Sequence, residues 1–420
     1  MSIPDAPPNV TSGAPARGAN RALALLTSVN LLNYVDRYVP AGALPLLLSS
    51  FAVSDTKGGL LMSMFMWAYA LVSPLVGAIG DRAPRFRLAG IGVLVWSAST
   101  FASGLAPTFA LLLLARTLIG VGEASYAVVT PSLLADYFPA SRRGRVLALF
   151  YAAIPVGSAI GFGLGAAVAQ SLGWRAAFYL AGLPGILLGI LLLVRRDPPR
   201  GAMDGHPHPE RLPFRAALSA LRARPSYFFN TVSQTLYTFA LGGLAGWMPT
   251  YFVRERHLGV GAAGTIFGAL VCVSGLIGTL VGGSLGDKLA ARRPAALFSL
   301  SGWALCASLP FTLLGVFAPQ PWIFWPALGV TLFLLFLNTG PLNAAMTNVL
   351  PAALRARGFA LYTFAIHAFG DALSPTLIGF ASDKVGLTLP IAFNGVLLVV
   401  AGLVLLAGRK SLAQDMASSL

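Results

Sequence analysis

Pro139-Ala-Ser-Arg-Arg-Gly-Arg-Val-Leu-Ala-Leu-Phe-Tyr-Ala-Ala-Ile154 and Pro351-Ala-Ala-Leu-Arg-Ala-Arg-Gly-Phe-Ala-Leu-Tyr-Thr-Phe-Ala-Ile366 align over their whole length without a gap. Each opens on Pro-Ala, passes a short basic cluster and runs into apolar residues. A second pair stands in the same order: Leu75-Val-Gly-Ala-Ile-Gly80-Asp81-Arg82 and Leu280-Val-Gly-Gly-Ser-Leu-Gly286-Asp287-Lys288. One match between apolar segments is commonplace, but two in the same order, basic residues included, mark a duplicated chain. Both copies of the long match place the basic cluster before the apolar run, so the halves run parallel. Two transporter halves related by an axis along the membrane normal have this arrangement.

The residues around the repeats supply the membrane. Of the 420 residues, 56% are hydrophobic and only 10% charged, and the mean hydropathy is +0.75. A globular soluble chain carries about 25% charged residues. Apolar runs long enough to cross a bilayer, about 20 residues each, recur twelve times. In the first half they cover 22–48, 58–79, 88–105, 108–137, 145–170 and 176–194. In the second they cover 226–251, 261–286, 295–316, 322–350, 358–380 and 389–407. The fold class is therefore an all-α membrane protein of twelve transmembrane helices, with two pseudo-symmetric six-helix bundles.

The net charge of +15 is a topology signal. Alternate loops hold 22 of the 29 Lys and Arg residues: the N-terminus, 82–87, 142–145, 195–224, 288–293, 355–357 and 409–410. The other side has Lys57, Arg175, Arg254, Arg256 and Lys384. By the positive-inside rule both termini and the central loop are cytoplasmic, and the partners of the basic loops are membrane lipids rather than nucleic acid. The expected organisation is a cytoplasmic tail (1–20, disordered by composition), a first bundle (21–196), a cytoplasmic linker with an amphipathic helix (197–224), a second bundle (225–408) and a tail (409–420). Cys272 and Cys306 lie inside spans and suggest no disulfide or metal framework. Neither a nucleophile elbow nor a P-loop is present, so an enzyme or a direct user of ATP is not expected. No cofactor is expected either, and the proton gradient is the natural energy source.

Few ionisable groups remain inside the spans, where a charge at mid-bilayer costs about 2.5–3.5 kcal/mol. Span 1 holds Asp36 and Arg37, span 4 holds Arg116 and Glu123, and span 11 holds His367 and Asp371. At 100° per residue, Asn30, Asn33, Asp36 and Arg37 share one arc. Arg116 and Glu123 share another, which Tyr126 and Thr130 continue. Thr363, His367, Asp371 and Ser374 form a third. Three one-sided polar stripes imply a wet central cavity. A purely structural reading, in which Arg–carboxylate pairs glue helices, remains open for any single pair. A carboxylate beside a cavity can exchange a proton with either side in turn, which makes Asp36 and Glu123 the candidate proton carriers. Arg37 and Arg116 would hold them ionised or, once they are protonated, be freed to bind an anion. Asn33, Tyr126, His367 and Asp371 complete the candidate substrate or coupling set. His367 belongs there because imidazole titrates near neutral pH. Gly80, Asp81, Arg82 and Arg85, with their counterparts Asp287, Lys288 and Arg292, occupy matching cytoplasmic loops. They are candidate gate residues whose carboxylates can cap a neighbouring helix and let go when the bundles rock.

These loops resemble the signature of the major facilitator superfamily. Asn30-Leu-Leu-Asn33-Tyr-Val-Asp36-Arg37, Gly120-Val-Gly-Glu123-Ala-Ser-Tyr126, Ile154-Pro-Val-Gly157-Ser and Gly370-Asp371-Ala-Leu-Ser-Pro375, with Ile378-Gly379, resemble the Spinster family more closely. The resemblance implies proton-coupled transport of an amphiphilic lipid such as a lysophospholipid or sphingosine-1-phosphate. It assigns the coupling carboxylates to Asp36 and Glu123 and a headgroup or coupling role to Arg116. The lean N-terminus and short loops suggest a bacterial protein of the inner (plasma) membrane, and a monomer is expected. The competing expectation is a proton-coupled exporter of drugs or small organic ions.

Overall fold

The computed structural model describes residues 15–201, 203, 214–350 and 352–417; most of the expected N-terminal tail and part of the linker lie outside them. Six helices form the first bundle: α1 (Ala19–Phe51), α2 (Asp55–Gly80), α3 (Arg85–Leu105), α4 (Phe109–Tyr137), α5 (Ala140–Leu172) and α6 (Trp174–Leu193). The short α7 (Phe214–Arg222) precedes the second bundle. That bundle comprises α8 (Pro225–Glu255), α9 (Val260–Ala290), α10 (Ala296–Phe317), α11 (Pro321–Leu337) continued by α12 (Thr339–Val349), α13 (Ala352–Ile366) continued by α14 (Ser374–Val385), and α15 (Thr388–Ala417). The described residues thus form twelve helical rods of membrane-spanning length, six in each bundle. Ten are long and apolar enough to cross a membrane. The other two, α1 and α8, carry the polar residues of each bundle's inner wall and are screened by their neighbours.

With lipid on one side and protein on the other, small residues rather than hydrophobic burial bring helices together. Gly157, Gly161 and Gly165 make a stripe along α5, where a Cβ would come within 2.4–2.6 Å of the Leu31, Val35 and Val39 carbonyls of α1. A side chain at any of the three would push the helices apart. Large apolar side chains instead point outward, among them Leu71, Leu75, Leu187, Trp303 and Trp322.

Two rods are broken where hydropathy alone reads a continuous span, because hydropathy is blind to a missing hydrogen bond. Pro341 leaves the carbonyl one turn back without its donor. The rod bends at Asn338, whose amide donates to the Leu334 and Leu335 carbonyls at 2.8 and 3.2 Å. Pro375 does the same to the eleventh rod, which widens into a π turn over His367–Asp371 with the Ala372 N–H on the His367 carbonyl at 3.0 Å.

The internal repeat identifies this π turn as an inserted residue. Pro351 and Ile366 stand 212 positions after Pro139 and Ile154. Beyond the turn the matching ends are Gly173 and Gly386, 213 positions apart, both closing their helices with positive φ (85° and 75°). The extra residue is accommodated inside the helix as one wide turn, a feature that recurs at functional sites.

The bundles meet along α5 with α9 and along α2 with α14. On the eleventh rod it is α14, the half away from the basic loops, that packs on the first bundle, whereas α13 packs on α8 and α7. The cavity between the bundles is closed at the end remote from the basic loops and opens toward the basic face.

Candidate functional site

Arg37, Tyr38 and Ala41 of α1, Met62, Phe65 and Met66 of α2, and Arg116 of α4 line one wall of this cavity. Gly242, Ala245 and Gly246 of α8 line the other, with Asp371 and Pro375. About 480 Å3 of space lies between these walls, part of it open to solvent. The first wall carries two guanidinium groups, the opposite wall carries the Asp371 carboxylate, and the remainder is mostly apolar or aromatic.

Arg37 and Glu123 form the centre of the charged side, with guanidinium Nη2 donating to Oε2 at 2.7 Å. Glu123 is fully buried and Arg37 is 15% exposed toward the cavity. Three aromatic rings surround the guanidinium: Tyr34, Phe65 and Tyr69 lie 4.8, 5.1 and 5.6 Å from it. Arg116 lies 4.9 Å from the Phe65 ring, so one phenyl group contacts both cations. Ring quadrupoles attract desolvated cations, and Phe65 thereby eases the approach of two like charges. Arg116 is almost fully buried, and neither its Nε nor its Nη1 has a partner among the described residues. Buried donors left unbonded are costly; here they belong to a cation on a cavity wall.

Asp36 follows a different direction from its neighbour Arg37. Its carboxylate enters the seam between α1 and α3, with Oδ2 3.4 Å from the Thr100 hydroxyl and Oδ1 without a partner. Asn33 is buried one turn earlier on α1. Tyr126 donates to the Leu26 carbonyl and packs edge-on against Trp96 at 5.7 Å, which ties α4 to α1 behind the cavity. Asp36, Arg37, Arg116 and Glu123 thus form one buried group in the first bundle, two carboxylates against two guanidinium ions. In the second bundle, His367 Nδ1 lies 3.1 Å from both carboxylate oxygens of Asp371. The His367 ring meets Tyr69 of the first bundle edge-on at 5.7 Å. Of the six charged candidates Arg37, Arg116 and Asp371 line the cavity, Asp36, Glu123 and His367 belong to the groups around them, and Tyr69 joins the two sets.

The loop candidates lie at the basic face, away from the cavity. Arg85 is buried, with Nη1 2.6 Å from Asp136 and Nε 3.4 Å from Asp197. Asp197 also accepts the Arg85 and Phe86 N–H groups at 2.6 and 2.9 Å, capping α3. Arg200 donates to the Gly80 and Ala83 carbonyls at 2.8 and 2.9 Å. The segment after α6 therefore clamps the α2–α3 loop within the first bundle. Asp81 follows the last residue of α2, its N–H on the Gly77 carbonyl. Arg82, Asp287, Lys288 and Arg292 are exposed at the same face.

Residues that did not stand out in the sequence complete the site. The apolar wall of Met62, Phe65, Met66 and Ala245 carries no signal that separates it from a lipid-facing stripe. The closed end of the cavity is held by Asp55, whose Oδ2 accepts from Arg254 at 2.7 Å and Ser382 at 2.6 Å. Thr376 donates to Ser63 there at 2.7 Å. A carboxylate at a helix start reads as an ordinary cap, and nothing local reveals that its partners come from the other half.

Comparison with known proteins agrees with this architecture. Residues 26–375 match the Major Facilitator Superfamily. Human protein spinster homolog 1 is 34% identical over 410 residues, covering 91% of this chain and 76% of the relative. The sphingosine-1-phosphate transporter SPNS2 of Xenopus tropicalis is 32% identical, covering 88% and 75%. A crystal structure of a bacterial homologue of the human lysosomal transporter Spinster, inward-facing and unoccupied, superposes with a TM-score of 0.85 at 22% identity, covering 96% of this chain and 99% of that one. The chain belongs to the Spinster family of the major facilitator superfamily.

Proposed function

We propose that this Spinster-family transporter is a proton-coupled carrier of an amphiphile with an anionic headgroup, a lysophospholipid or a related lipid. The observation that carries the reading is the amphipathic cavity: two guanidinium groups at one side, each with an unpartnered donor, and Met62, Phe65, Met66, Ala41 and Ala245 along much of the rest, with Asp371 opposite. A phosphate-bearing head and an acyl tail match those two surfaces. The lipid named for the Xenopus relative supports the same class.

Proton coupling follows from charge balance. With Asp36 and Glu123 ionised, the two arginines are neutralised within the bundle. A proton on Glu123 would weaken its 2.7 Å contact with Arg37 and turn that cation toward the cavity, where a headgroup can take the place of the carboxylate. Loss of the proton would restore the pair and expel the head. Carriage of head and proton would then be linked without direct contact between them. The Lys and Arg bias of the loops supports a cytoplasmic basic face with both termini on that side, in a bacterial inner membrane; the cavity described here would then be the inward-open state. The test is uptake of a labelled lysophospholipid into vesicles of reconstituted protein under an imposed pH gradient. Gradient-dependent accumulation is expected. Competition by water-soluble organic ions, with none by lysolipids, would favour a drug exporter instead.

A further inference from the structure

The closed end of the cavity carries a symmetry that the internal repeat makes visible. Asp383, at the end of α14, accepts the Asp55 and Thr56 N–H groups at 2.8 and 3.0 Å, together with the Thr56 hydroxyl. It therefore caps α2 of the other bundle. Gln170, at the end of α5, accepts the Gly261 N–H through Oε1 and caps α9 of the other bundle. These are equivalent contacts. Leu75-Val-Gly and Leu280-Val-Gly fix a spacing of 205 through the second helices of the two halves, as do their starts at Asp55 and Val260, and Gly261 stands 205 positions after Thr56. Gly173 and Gly386 fix a spacing of 213 at the ends of α5 and α14, and Asp383 stands 213 positions after Gln170. The N–H groups correspond, and so do their acceptors. The inserted residue of the π turn brings the acceptors into register: without it, Asp383 would be rotated by about 100° around its helix.

We propose that Asp383 and Gln170 are matched gate residues, each capping the second helix of the opposite half, and that both caps must break for the cavity to open to the face remote from the basic loops. The first helical turn has N–H groups that no backbone carbonyl can reach, so a side-chain acceptor from across the interface stabilises the closed arrangement alone. The two caps differ in strength. The α2 cap uses a carboxylate, which the helix dipole favours, and adds the Asp55–Arg254 pair at 2.7 Å; the α9 cap uses a neutral amide. Opening should begin at α5 and α9.

The test places a single cavity cysteine, Ala245→Cys, in a chain with Cys272→Ala and Cys306→Ala, reconstituted in vesicles. A membrane-impermeant maleimide then measures labelling from the face remote from the basic loops. Asp383→Ala and Gln170→Ala should each raise that labelling by about 2- to 30-fold, the ratio that loss of a typical helix cap produces. The two together should exceed either. Ser171→Ala and Lys384→Ala, one residue further on, should leave it unchanged. Unchanged labelling in either cap variant, with melting and gel-filtration profiles intact, would overturn the proposal. Should a cap variant fail to fold, Asp383→Asn, which keeps an acceptor for the Asp55 and Thr56 N–H groups and loses only the charge that the helix dipole favours, should raise labelling by a smaller factor. Unchanged labelling in a folded Asp383→Asn carrier would equally overturn it. The labelling arm needs no knowledge of the substrate, so its failure is distinct from failure of the amphiphile reading.

Discussion

Glu123→Gln removes one charge from a pair held at 2.7 Å, with the carboxylate fully buried. Two unit charges at that spacing attract by about 6 kcal/mol at an effective dielectric near 20. Desolvation offsets much of this, and removing one partner of a buried pair outright costs about 3–5 kcal/mol. The isosteric amide keeps an acceptor for Arg37, so the expected loss is smaller: the difference between a charge-assisted and a neutral hydrogen bond, about 1–2 kcal/mol. That bias fixes the carrier in its proton-loaded arrangement. In vesicles, accumulation of labelled lysophospholipid driven by a pH gradient should fall about tenfold or more, since 1.4 kcal/mol is one decade. Exchange of labelled for unlabelled substrate needs no proton release and should persist within about threefold. Full accumulation by the variant would refute the proton role of Glu123. Loss of accumulation and exchange together, in a normally folded protein, would refute the argument that Glu123 acts through Arg37 on proton release alone.

Three further outcomes follow from the same geometry. Arg116→Gln should weaken inhibition of labelled-substrate uptake by a phosphate-bearing amphiphile by about tenfold, the loss of one charge-assisted contact, and leave an uncharged analogue of equal tail length unaffected; uptake competition measures both. Gly246→Val should discriminate against long tails in the same assay. A Cβ at Gly246 meets only Pro375, at 3.7 Å, whereas a Cβ at Gly242 would come within 2.6 Å of that of Asp371, so Gly242→Ala should disturb transport of short and long tails alike. Asp197→Ala removes the cap of α3 and a partner of Arg85. It should destabilise the first bundle by about 1–2 kcal/mol, read as a lower melting temperature in detergent.

Much of this protein is legible in its sequence because a bilayer imposes so few solutions. Apolar length gives the rods, Lys and Arg counts give the alternation of faces, and the matched segments at Pro139 and Pro351 give the two halves. The charged group was legible for the same reason: Asp36, Arg37, Arg116 and Glu123 are too costly to place against lipid, so their positions imply a shared interior. Directions were not legible. Adjacent on α1, Asp36 turns into the first bundle and Arg37 toward the cavity, a difference set by α3 and α4 rather than by local spacing. The π turn was hidden because a one-residue insertion leaves hydropathy unchanged; only the mismatch between spacings of 212 and 213 betrays it. Gln170 and Asp383 were hidden most completely. A polar residue at a rod end is unremarkable until the opposite helix is placed against it.

The central claim is that movement of an amphiphile is linked to movement of a proton through Asp36 and Glu123. Its most direct measurement records internal pH in sealed vesicles of the reconstituted carrier while a lysophospholipid is added outside. The account predicts a change of internal pH that requires both protein and substrate and disappears in Asp36→Asn and in Glu123→Gln. Substrate entry at the wild-type rate with no accompanying change of pH would contradict it.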